Sequence, residues 1–79
     1  MLLIVDPKDH PALAALTRDA WRSWINAVNH CAGIRSDIVP VSCLGLPEEH
    51  LVEWERVALA QRLPFGNLRL LRRGTLWDI

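Results

Sequence analysis

Four tryptophans, Trp21, Trp24, Trp54 and Trp77, are spread along a chain of only 79 residues. Each indole side chain buries about 150–250 Å² of mostly apolar surface. A domain of this size hides only about 60% of the surface that its unfolded chain exposes. One small core is therefore expected to leave part of the aromatic surface turned outward, where a partner can cover it.

The length allows a single domain over residues 1–79, with no room for a second core. A hydrophobic share of 51% with 23% charged residues is globular and argues against disorder. Nine basic and nine acidic residues cancel, which removes the global field that draws proteins to nucleic acid or acidic membranes. The apolar run Leu2–Val5 is too short for a membrane span or a leader core, and Asp6–Pro7 ends it. Cys31 and Cys43 stand alone, which suits a reducing compartment and a cytoplasmic protein.

Leu2–Val5 reads as a strand buried on both faces. Pro11 suits a first helical position, with Asp9 or His10 as the cap before it. From Pro11 to Ala32 the apolar spacing is helical: Leu13, Leu16, Thr17, Ala20, Trp24, Ala27, Val28 and Cys31 share one face. Trp21 and Ile25 widen that face, and Gly33 is placed for a left-handed cap. Ser36–Cys43 is a β-branched run interrupted by Pro40, hence an edge, bulged or shortened strand. A second helix is expected from about Pro47 to Arg62, with Glu48 and Glu49 favouring its N-terminus. It carries two apolar stripes, Leu51–Trp54–Val57–Ala58 and Val52–Leu59–Leu63. Asn67–Ile79 reads as a hairpin turning at Arg72–Thr75, although Leu68–Arg73 also admits a helix.

The expected fold class is α/β, a small single-layer sheet with two helices in the order β-α-β-α-β-β. A right-handed crossover would set the first two strands parallel. This order resembles the thioredoxin-like core in topology alone, and the likeness implies no activity.

Chemical motifs are sparse. The turn Asp6–Pro11 holds no thiol, so the redox site of that topology is absent, and Cys31 faces the apolar stripe. His30, Cys31, Cys43 and His50 are metal-ligand types without paired spacing, so no metal and no cofactor are expected. Ser23, Ser36 and Ser42 lack a nucleophile-elbow context. Asp6, Asp9 and His10 could form an acid–base cluster at a strand end, yet turn and cap roles explain them equally well. No catalytic residue is assigned.

The function expected from these features is that of a small non-catalytic protein-binding module: an adaptor, inhibitor or regulatory subunit. Its partner is another protein or a second copy of itself. The contact surface is assigned to Leu51, Trp54, Val57, Ala58, Arg72, Arg73 and Trp77, because aromatic residues and arginine dominate interface energetics. The alternative is nucleic-acid binding by an arginine-rich hairpin, with Arg69, Arg72 and Arg73 beside Trp77 as a stacking ring. Third comes a small redox-like or acid–base enzyme.

Overall fold

The structure, a computed structural model, describes residues 9–77. The expected strand Leu2–Val5 and the carboxylate Asp6 lie outside them. What the described residues form is a small mixed α/β fold, with four helices and a three-stranded antiparallel sheet.

His10 and Pro11 open α1 (Pro11–Ala14) in the expected manner. His10 is extended, and its Nδ1 accepts the Ala12 N–H at 3.2 Å. The single helix expected through Ala32 is broken, however, and α2 (Arg18–Ile34) begins afresh with Thr17 as its cap. In an unbroken helix the Thr17 N–H would be consumed by the Leu13 carbonyl. Here it donates instead to Glu53 Oε1, and the Thr17 hydroxyl donates to Glu53 Oε2, both at 2.9 Å. The same hydroxyl accepts the Ala20 N–H at 3.3 Å. A cap satisfied from a distant helix outweighs the turns it interrupts.

The buried face of α2 is the expected one: Ala20, Trp24, Ala27, Val28 and Cys31. Gly33 does not cap it. The chain turns left-handed at Arg35, where the Arg35 N–H reaches Ala32 and the Ser36 N–H reaches the Cys31 carbonyl. These two bonds satisfy terminal carbonyls and offset the roughly 1–2 kcal/mol that a non-glycine residue loses in this conformation.

Pro40 shortens the next strand. Only β1 (Ile38–Pro40) is extended, and α3 (Val41–Leu44) follows as one helical turn. The second long helix also stops early: α4 covers Glu48–Arg56, and Ala58 turns left-handed at φ 59°. The Leu59 N–H then closes on the Trp54 carbonyl at 2.8 Å. Residues 60–62, expected at the end of the helix, and Leu63 form β2 (Ala60–Leu63) instead. Two apolar stripes cannot both face one small core from a single helix. The chain resolves the conflict by ending the helix first, which leaves Leu59 in the bend that follows and Leu63 in β2.

β3 (Asn67–Leu70) is central, in the order β1-β3-β2, and both pairings are antiparallel. It pairs Leu68 with Val39 and Arg62, and Leu70 with Ala60. Among the described residues the expected hairpin turning at Arg72–Thr75 is not made, and Asp78 and Ile79 of that expectation lie outside them. Arg72–Trp77 forms a tight turn instead, in which the Thr75 and Leu76 N–H groups share the Arg72 carbonyl. This tucks Leu76 and Trp77 into the core beside Trp24, Val28, Val39, Leu51, Trp54, Leu68 and Leu70. Burying two large apolar side chains at the chain's end yields more than a second, solvated β-ladder would.

Candidate functional site

The assigned contact surface divides sharply. Leu51, Trp54 and Trp77 are buried by their own chain, Val57 is half-buried, and Ala58, Arg72 and Arg73 are exposed. The expectation that Trp54 and Trp77 present their rings to a partner is therefore corrected. The Trp54 indole crosses to α2 and donates its N–H to the Ala20 carbonyl at 3.0 Å. The Trp77 indole donates to the Leu71 carbonyl at 3.1 Å. Trp24 is fully buried as well, and Trp21 is half-buried against the same core. A small core does accommodate these rings, because they come from segments converging on one centre. The other expected stripe is dispersed: Val52 is exposed, Leu63 half-buried and Leu59 buried.

Ala58 and Arg72 do come together, with Arg72 Nε donating to the Ala58 carbonyl at 3.3 Å. They mark one end of the β2–β3 hairpin. The other end carries the residue that sequence reasoning missed. Phe65, in the link Pro64–Gly66, is 100% exposed and sits left-handed at φ 64°, ψ 29°. Gly66 follows with φ 74°, and Asn67 Nδ2 donates to the Pro64 carbonyl at 3.3 Å, fixing the loop. A bulky residue at positive φ costs about 1–3 kcal/mol, and such outliers cluster at functional positions. Among the described residues no core contact compensates for it, since the ring is fully exposed. The Pro-Phe-Gly triplet marks a turn in the sequence, but it does not say that the ring is bare.

Strand alternation extends this tip into a surface. Val39, Ala60, Leu68 and Leu70 face the core, so Ile38, Pro40, Gln61, Leu63, Asn67 and Arg69 take the opposite face. Each of these six is exposed or half-buried. Arg69 stands at the centre, between Ile38 and Gln61. Its Nε is shut off from water and has no hydrogen-bond partner among the described residues. Arg62 shares the core-facing parity, but it reaches over the edge to Glu48 and Glu55 and ties β2 to α4. Those two carboxylates raise its already high pKa. Among the described residues the opposite face carries no ion pair, and the Phe65 link closes one end of its β2–β3 edge.

The remaining chemical candidates gather elsewhere. A cavity of about 180 Å³ opens between α2 and the α3–α4 connection, lined by Ser23, Asn26, Ala27, His30, Cys43, Leu44 and Leu46. The Ser23 hydroxyl lies 2.8 Å from Nδ1 of His50, which projects from α4. Cys31 is buried, and burial reinforced by Asp37 pushes its thiol up to about 11. Such a thiol is inert at neutral pH. Cys43 is exposed and free. Among the described residues no three His, Cys, Asp or Glu side chains converge to hold a metal ion. His10 caps α1 and Asp9 is exposed, while Asp6, the third member of that cluster, lies outside the described residues. The bonds from Thr17, its backbone N–H first, hold the Glu53 carboxyl below the ordinary glutamate range.

Comparison with family models, curated proteins and solved structures finds no match for this chain. Among the described residues no helix is long and apolar enough to cross a membrane.

Proposed function

We infer that the protein is a small protein-binding module, an adaptor, inhibitor or regulatory subunit, that engages its partner through the β2–β3 tip and the adjoining sheet face. The carrying observation is Phe65, a fully exposed ring held in a strained backbone conformation by a fixed loop. Burying such a ring returns about 1.5–3 kcal/mol. Because the loop is already ordered, little entropy is lost on docking. The half-buried Arg69 sets a positive charge at the centre of that face, beside the apolar Ile38 and Leu63, which suits a partner's carbonyl or carboxylate. Two free thiols support a reducing, cytoplasmic setting.

A protein partner fits better than nucleic acid. The stacking ring required by the alternative is Trp77, which is buried. Formal charge neutrality gives no steering field toward phosphate.

The test is affinity capture from the cells that make the protein, at physiological salt, with wild type and Phe65→Asn in parallel. Asparagine tolerates the left-handed conformation, so the fold is retained. The expected result is a discrete stoichiometric partner held by wild type and weakened about 10–100-fold by the substitution. Equal retention by both proteins contradicts the reading. So does capture only of oligonucleotides, with an affinity that falls steeply with salt.

A further inference from the structure

We propose that Ser23 and His50 form an acyl-transfer pair serving the cavity between α2 and the α3–α4 connection, with small carboxylic esters as substrates. This site is separate from the Phe65 tip and does not depend on the binding reading.

Three observations converge. A serine inside a helix commonly returns its hydroxyl to a carbonyl of its own preceding turn. Ser23 instead meets the His50 imidazole at 2.8 Å, across 27 residues of sequence. That distance lies within the range required of a nucleophile and its base. Both residues are half-buried, so the pair is partly shielded while Ser23 still lines the cavity. His50 does not line the cavity itself and reaches it through the serine.

The surroundings suit a short acyl group. Ala27, Leu44 and Leu46 supply apolar wall, and about 180 Å³ matches a group of a few heavy atoms. Asn26, one turn along α2, also lines the cavity and is the side chain whose amide would serve the oxygen that becomes charged.

The step balances with water as the only co-reactant. Ser23 Oγ attacks the ester carbonyl carbon while His50 Nδ1 takes the hydroxyl proton, so the neutral ring must carry its own proton on Nε2. The carbonyl–oxygen bond to the leaving alcohol breaks, and His50 returns the proton to that alcohol. Water then attacks the acyl-serine with His50 again as base, releasing the carboxylic acid and restoring the hydroxyl.

The experiment is hydrolysis of p-nitrophenyl acetate by the full chain, with mass spectrometry of acid-quenched protein. Free imidazoles cleave this ester without help, so Ser23→Ala, which keeps all three histidines, is the decisive variant. The expected result is about a 10²-fold loss of rate in Ser23→Ala and in His50→Gln, with one acetyl group on Ser23 of quenched wild type. The adduct needs no variant, so it decides the matter even if a substitution unfolds the chain. A pair that merely pins α4 to α2 would lower the melting temperature in both variants and leave Ser23→Ala hydrolysing at the wild-type rate. That outcome, or acetyl found only on Cys43 or a histidine, overturns the proposal.

Discussion

Trp24 and Trp54 are both fully buried in the same core, yet their replacement by phenylalanine should have unequal consequences. Either substitution removes the pyrrole portion of an indole and leaves a void worth about 1 kcal/mol at roughly 24 cal/mol per Å³. The difference lies in the ring N–H. That of Trp54 donates to the Ala20 carbonyl at 3.0 Å and joins α4 to α2. Losing it costs about another 1 kcal/mol. That of Trp24 is buried without a partner among the described residues. A shut-in, unsatisfied donor carries a penalty of about 1–3 kcal/mol, which phenylalanine removes. Trp54→Phe is therefore expected to lose about 2 kcal/mol, while Trp24→Phe stays near neutral or gains slightly. A domain of this kind has only about 5 kcal/mol in all, so the gap is easily read in urea titrations followed by far-ultraviolet circular dichroism. Equal losses in the two variants, or a larger loss in Trp24→Phe, would refute this reasoning.

Phe65→Asn should raise stability by about 0.5–1 kcal/mol, because it relieves a left-handed strain and gives up no core contact; a lower melting temperature contradicts this. Thr17→Ala should cost about 1 kcal/mol through the lost cap, measured by the urea midpoint. Glu53 ionises more readily folded than unfolded, so its contribution is complete above the unfolded value of about 4.3 and fades as pH falls through the lower folded value. The stability gap between wild type and Glu53→Gln should therefore narrow below about pH 4.3, and a gap that widens there is the wrong sign. Iodoacetamide should label exposed Cys43 promptly and reach Cys31, whose thiol is pushed up to about 11, only after denaturant is added; peptide mass spectrometry reads both.

The helical face of α2 was legible because its signal is local and periodic: Ala20, Trp24, Ala27, Val28 and Cys31 repeat at helical spacing and are the residues buried. The break at Thr17 was not, since its cause is Glu53, 36 residues away. The end of α4 was hidden for a related reason. Val57–Leu63 has an apolar spacing that helix and strand both satisfy, and only pairing with β3 decides between them. The tryptophan count pointed toward an exposed aromatic surface, yet the exposed ring is Phe65. Counting apolar residues gives the size of a core but not which of them the chain turns inward. The Ser23–His50 pair lay beyond sequence reasoning too, because no local motif links residues on two different helices.

The most direct measurement places a photo-crosslinking phenylalanine analogue at position 65 and, as a control, at the exposed Arg22 on α2. Both proteins are irradiated in the cells that make them. If the β2–β3 tip is the docking surface, position 65 yields one discrete crosslinked protein that position 22 does not. Identical products from both positions, or none from position 65 while the protein remains folded, would contradict it.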